Sequence, residues 1–313
     1  MVSITLSAAG RVPLARGLPV TLTFDDKSLE DVTVADVKSA VAAKFPKFST
    51  SRQKLSLKGE KKALADESSL QDAGIQDGDE LAVKDLGPQL GWRTVYLIEY
   101  AGPLFIHPLF YHYQTVYGGP PVKHSRLQEM VYMMIMLHFI KREWETLFVH
   151  RFSHGTMPFR NIFRNSAHYW LLSGVLLASV IYSPAYSYYS PFIIGTAREK
   201  PKFLLGCVAL WAFAELSNLS AHLTLRSLRP EGSKKRAIPY GYGFSLVSFP
   251  NYFFEILSWV TIAIMTGSYA AWLFVAVGAF IMSKWAIKKH KAYKREFGEA
   301  YPRDRKAIIP FIL

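Results

Sequence analysis

Two rhythms of apolar and polar positions divide this chain. Up to about residue 86 they are short: VSITLS and VTLTFD alternate apolar and polar residues as half-buried strands do, and KLSLKG and ELAVKDL read as further strands. Between them VADVKSAVAAKF repeats its apolar residues at helical spacing. This predicts a β-rich α+β domain with one main helix. Beyond Gly91 the apolar runs lengthen, with candidates near 95–117, 127–149, 167–186, 203–225, 250–268 and 270–288. A bilayer-crossing helix needs about 20 mostly apolar residues. The pattern therefore predicts an α+β domain over 1–86, a linker over 87–94, and an all-α polytopic membrane domain over 95–313. That domain has six spans, or seven if one of the longer runs divides.

Composition sharpens this picture. Half of the 313 residues are apolar, 14% are aromatic and the formal net charge is +13; mean hydropathy is +0.11. The basic residues sit between apolar runs and form no long stripe, which suits a membrane protein with basic loops and argues against nucleic acid as a partner. Arg151, Arg160 and Arg164, then Arg229, Lys234, Lys235 and Arg236, then Lys288, Lys289, Lys291, Lys294 and Arg295 would share the side of the N-terminus. That bias places both termini in the cytosol, although Arg198, Lys200 and Lys202 on the opposite side weaken it. The one cysteine, Cys207, lies in an apolar run and leaves neither an intramolecular disulfide nor a zinc-finger spacing to propose. The N-terminus lacks the apolar core of a signal peptide, so membrane targeting is expected from the later spans.

The polar residues within the greasy two-thirds carry the candidate chemistry, since ionisable groups in or at the ends of spans are costly and are kept for function. Asn218, His222, Arg226 and Arg229 are spaced by four, four and three, forming one helical ridge that ends in two guanidiniums. Arginine can clamp phosphate and an asparagine amide can recognise a carboxamide; a stop-transfer cluster is the plainer account. Pro250 suits a first helical turn, which sets Asn251 and Glu255 on one face with Tyr252 beside Asn251. A buried tyrosine beside a cation can act as general acid, and Lys141 is a candidate for that cation. An interfacial Tyr252 and a snorkelling Lys141 are the alternatives. The basic, aromatic terminus with Lys284, Lys289 and Tyr293 reads either as a patch for anionic lipid or as a closure over a dinucleotide. His107, His112, His138, His150, His154 and His168 show no metal-ligand spacing, so no metal site is expected. No GxGxxG or GxxxxGK[ST] occurs.

The order of elements in 1–86, with its GIQDGDEL turn, resembles ubiquitin-like domains, in which a β-grasp sheet packs on one helix. PNYFFEILSW, NLSAHLTLRSLRP and YPRDRKAIIPFIL resemble the steroid 5-alpha-reductase superfamily. The added N-terminal domain and HFIKREWETLFVHRFSHGTMPFRNIFRNSAHYW make the chain similar to its very-long-chain trans-2-enoyl-CoA reductases of the endoplasmic reticulum. The resemblance implies NADPH-dependent reduction of trans-2-enoyl-CoA to saturated acyl-CoA, the last step of the very-long-chain elongation cycle, with other enzymes of that cycle as partners. It implies Tyr252 and Lys141 as the catalytic pair, Glu99 and Phe139 near the substrate, and Asn218, His222, Arg226, Arg229, Asn251, Glu255, Lys289 and Tyr293 around NADPH.

Three positions depart from the steroid enzymes: Phe139 stands for a tyrosine, His222 for an aspartate and Lys289 for a histidine. The first argues against a steroid ketone as substrate. The competing readings are a steroid or polyprenol reductase, a membrane methyltransferase of the isoprenylcysteine type, and a membrane-tethered ubiquitin-like adaptor.

Overall fold

Alternation in the first segment becomes a sheet. Val2, Ile4 and Leu6 of β1 (Val2–Ala8) turn inward while Ser3, Thr5 and Ser7 stay half-exposed. The computed structural model describes residues 1–152, 155–229 and 237–313; His154 and the loop residues Lys234, Lys235 and Arg236 lie outside the described residues. β1 pairs antiparallel with β2 (Val20–Phe24) and parallel with β4 (Glu80–Asp85), which pairs antiparallel with β3 (Gln53–Leu57). The order β2-β1-β4-β3, with α1 (Val34–Lys44) between β2 and β3, is the β-grasp arrangement expected. Thr33 and Asp36 start α1 with a reciprocal capping box. Val34, Val37 and Val41 then face Ile4, Leu6, Leu55 and Leu81 in the core.

Arg52 ties β3 to β4 through two hydrogen bonds to Asp85, at 3.0 and 2.7 Å. Partial burial pushes the Asp85 carboxyl up, but Arg52 and the Gly87 N–H outweigh it and hold it below the usual carboxylate range. The segment read as a linker is not free chain. Residues Gln89–Gly91 form β5, which pairs antiparallel with β6 (Thr156–Pro158), so this unit reaches Trp92 and takes in the β6 stretch.

The second unit is helical. All six apolar candidates form helix: α2 (Trp92–His112), α3 (Arg126–Phe148), a broken segment of α4 (Asn161–Ala167) and α5 (Leu177–Ile181), then α6 (Pro201–Ser227), α7 (Pro250–Thr266) and α8 (Tyr269–Phe297). Between α4 and α5 the chain winds as a π-helix over His168–Leu176, a form usually met at functional sites. Among the described residues, two stretches are long and apolar enough to cross a membrane, Pro201–Ser227 and Tyr269–Ala300. The others fall short for local reasons. α2 carries Arg93, Glu99, His107 and His112 among its apolar residues, α3 carries Lys141, Arg142, Glu143 and Glu145, and α7 is only 17 residues long.

Burial in this unit is inverted relative to a water-soluble helix. Met133, Leu137, Ile140, Trp144 and Leu147 form an exposed stripe on α3, while Gln128, His138, Arg142 and Glu145 are buried on its other face. Phe213 and Leu216 on α6 and Phe280 on α8 are likewise exposed. Such surfaces are stable against hydrocarbon and costly against water. Close packing needs a small residue at Gly102, where a β-carbon would run into the Trp170 indole. That ring donates from Nε1 to the Ile98 carbonyl at 2.8 Å.

Candidate active site

The polar residues of α3, α6 and α7 meet in a buried lattice. His138, Lys141, Arg142 and Glu145 share one face of α3, as intervals of three, one and three require. Lys141 Nζ donates to Glu215 Oε2 at 2.8 Å and to Asn218 Oδ1 at 2.6 Å, and lies 3.5 Å from Glu145. With its oxygen held by Lys141, Asn218 turns its Nδ2 to the Asn251 carbonyl at 2.8 Å and to Glu255 Oε2 at 3.1 Å. His138 stands between two carboxylates, 2.7 Å from Glu215 and 3.4 Å from Glu255.

Glu145 is the second node. Its side chain has no exposure and faces Arg142, His222 at 3.0 Å, and Lys141. His222 continues to Asn251, with Nε2 3.5 Å from the amide nitrogen. In low dielectric these charges are tolerable only because each meets an opposite partner.

A second cluster lies where α7 begins and α8 passes. Phe249 is stacked between Tyr252 and Tyr293, with centroids at 5.6 and 5.8 Å. Lys289 Nζ donates to the Tyr252 hydroxyl at 2.8 Å. The expectation set Lys141 beside Tyr252; here Lys289 of α8 meets the tyrosine hydroxyl, while Lys141 is engaged by Glu215 and Asn218. The C-terminal residues brace this region, since Phe249 N–H donates to the Ala307 carbonyl and Ser248 N–H to that of Lys306.

Glu99 and Phe139 belong to a third group around Tyr100. Glu99 is buried and hydrogen-bonded to Asn165. Phe139 packs against Tyr100, Tyr169 and Trp259. Arg226 is exposed in the last turn of α6, and Arg229 is half-buried with a long 3.5 Å contact to the Arg151 carbonyl. The ridge read from sequence is thus buried at Asn218 and His222 and exposed at Arg226. Glu215, three residues before Asn218, extends it inward.

Four lattice residues were not singled out from sequence in this role: His138, Arg142, Glu145 and Glu215. The signal was their interval, because they fall on the faces opposite the lipid-type stripes of α3 and α6.

Glu145, His150 and His222 each bring a ligand atom within 4.8 Å of the others. Glu145 is already committed to Arg142, Lys141 and His222, so a dication there would be pressed against two fixed cations. A nicotinamide group suits the lattice better. Among the described residues, Asn251 Oδ1 is buried without a hydrogen-bond partner, an acceptor of the kind a carboxamide N–H needs. The aromatic stack at Phe249 and the cations Lys289, Arg226 and Arg229 suit an adenine and phosphates.

A helical unit with an ionic interior and a β-grasp companion defines a class. The family described as 3-oxo-5-alpha-steroid 4-dehydrogenase matches residues 155–313, and the TECR ubiquitin-like domain matches residues 20–85. The chain is 47% identical to a protein of Schizosaccharomyces pombe over 99% of its own length and 100% of the other's. It is 38% identical to a very-long-chain enoyl-CoA reductase of Dictyostelium discoideum, covering 90% of this chain and 92% of that one. A trans-2,3-enoyl-CoA reductase-like protein of Mus musculus is 32% identical over 92% of this chain and 80% of its own. The chain belongs to the very-long-chain enoyl-CoA reductase family, the members of the steroid 5-alpha-reductase superfamily that carry a ubiquitin-like domain.

Proposed function

We propose that this chain reduces trans-2-enoyl-CoA thioesters to saturated acyl-CoA with NADPH, as the last step of very-long-chain fatty acid elongation. The reaction would occur in the endoplasmic reticulum membrane, with six helical segments inserted and both termini cytosolic. The observation that carries this reading is the buried lattice of Lys141, Asn218, Glu255, His222 and Asn251, in a chain whose relatives are named enoyl-CoA reductases. It gathers five polar side chains from three helices and includes an Asn251 amide oxygen that no described residue satisfies.

When bound, NADPH supplies the hydride that adds to the β-carbon. Asn251 and Glu255 hold the carboxamide, and Asn218 keeps both in place through its amide nitrogen. Lys141 acts by orientation, because its bond to Asn218 Oδ1 decides which way that amide points. Tyr252 delivers a proton to the α-carbon, with Lys289 in the role first expected of Lys141, steadying the phenolate left behind. Lys289, Tyr293, Arg226 and Arg229 would hold the phosphates and adenine of the bound dinucleotide. The inverted burial of α3 favours a bilayer setting, and the β-grasp unit is suited to docking other enzymes of the cycle.

The test is turnover by the full-length protein in detergent, given NADPH and a long-chain trans-2-enoyl-CoA beside a 3-oxo-4-ene steroid and a polyprenol. Saturated acyl-CoA as the main product supports the reading. Preferential reduction of the steroid or polyprenol would replace it, and no reduction of any substrate by folded protein would end it.

A further inference from the structure

Tyr100 and Arg142 form a buried pair that this chemistry leaves without a task. Tyr100 is 1% exposed and Arg142 9% exposed. The Tyr100 hydroxyl accepts from Arg142 Nη2 at 2.8 Å, and the guanidinium carbon lies 5.0 Å from the centre of the Tyr100 ring. Through Nη1 the same guanidinium is fixed to Glu145, whose side chain has no exposure. The pair cannot rotate away without breaking the lattice.

Both members keep an unspent proton. A phenol that accepts a hydrogen bond still has its own O–H to give, and among the described residues none takes it. Arg142 Nε is buried and, among the described residues, likewise without a partner. Buried donors in folded proteins are nearly always satisfied, so two orphans in one rigid pair mark a place built for an acceptor. That acceptor should be most welcome when negative, because a guanidinium supports both donors. Glu145, His222 and Asn251 connect the pair to the carboxamide-binding residues through successive contacts.

We propose that Tyr100 O–H and Arg142 Nε–H form the oxyanion site for the substrate's thioester oxygen, an assignment that rests on the reductase reading. Hydride addition at the β-carbon moves the alkene pair into a bond between the α-carbon and the carbonyl carbon, and the carbonyl pair moves onto oxygen. The alkene is reduced and NADPH oxidised. The two donors hold the enolate oxygen until its electron pair returns and the α-carbon takes a proton from Tyr252. Phe139 and Tyr169 pack against Tyr100, at 6.3 and 5.1 Å between centroids, so entry of the thioester shifts at least one of these rings.

The decisive experiment reads polarisation of the carbonyl rather than turnover. Saturated acyl-CoA, isotope-labelled at the thioester carbonyl, is bound to full-length protein, and its carbonyl stretch is recorded by infrared difference spectroscopy. The wild type should lower the frequency relative to free acyl-CoA. Tyr100→Phe, which keeps the ring and its packing, and Arg142→Lys, which keeps the charge but lacks Nε, should each lose most of that shift. In turnover, Tyr100→Phe should lower kcat by about 100- to 1000-fold, the usual effect of removing one oxyanion donor. NADPH affinity, followed by its fluorescence, should change by less than about threefold.

A wild type without the frequency shift overturns the proposal, as does Tyr100→Phe with the shift intact or with a loss of NADPH affinity that matches its loss of kcat. Should Tyr100→Phe fail to fold, Arg142→Lys carries the same comparison. A wild type that shows the shift but reduces no enoyl-CoA would sink the reductase reading while leaving the oxyanion site standing.

Discussion

Neutralising Glu145 should be among the most damaging single changes in the helical unit. Its carboxylate has no exposure and serves Arg142, His222 and Lys141 together, so Glu145→Gln leaves buried cations without their counter-charge. Removing one partner of a buried ion pair costs about 3–5 kcal/mol. For a domain of this size each kcal/mol moves the thermal midpoint by about 2–4 °C, which predicts a fall of about 6–20 °C. The assay is thermal unfolding of full-length protein in detergent, beside Glu80→Gln, whose partner Lys58 is exposed and whose midpoint should stay in place. Replacing the pair together, as Glu145→Leu with Arg142→Met, should recover part of the loss because no charge is then orphaned. A midpoint for Glu145→Gln within about 2 °C of wild type would refute the argument that Glu145 anchors the lattice.

Other perturbations test separate links. Lys289→Met removes the donor to the Tyr252 hydroxyl and should lower kcat by about 10- to 100-fold, in line with a lost hydrogen bond from a charged group; unchanged steady-state kinetics would separate Lys289 from the chemistry. Gly102→Ala places a methyl against the Trp170 indole, inside contact distance, and should destabilise by about 1–3 kcal/mol, read as a lower thermal midpoint. In the β-grasp unit, Asp85→Asn should cost about 1–2 kcal/mol at neutral pH. Because the folded Asp85 pKa is depressed, that stabilisation is complete above the unfolded pKa and disappears as pH falls through the folded one. Hydrogen exchange of the β3 amides should therefore differ between Asp85→Asn and wild type at neutral pH and converge in acid. A difference that persists in acid would contradict the Arg52 pairing as its cause.

Local periodicity made much of this architecture legible. Val2, Ile4 and Leu6 announce a strand by a period of two, and Pro250 marks the start of α7, because both depend on neighbours along the chain. What escaped depends on tertiary pairing. Nothing local says that Gln89–Gly91 will find Thr156–Pro158, and a nominal linker became a strand. Sequence offered Lys141 as the cation for Tyr252 and Lys289 for the dinucleotide, whereas helix packing sets Lys289 at the Tyr252 hydroxyl and Lys141 at Asn218. Glu145 and Glu215 looked like ordinary helix charges because their importance comes from cations on other helices and, for Glu145, on α3 itself. The π-helical turn at His168–Leu176 has no sequence rule to announce it.

The most direct test of the central claim follows the hydride itself. Full-length protein is given NADPH deuterated at the transferable ring position and a long-chain trans-2-enoyl-CoA, and the product is examined by mass spectrometry with fragmentation. The account predicts saturated acyl-CoA carrying a single deuterium at the β-carbon. Product without that label, or no saturated acyl-CoA from folded, NADPH-binding protein, would contradict it.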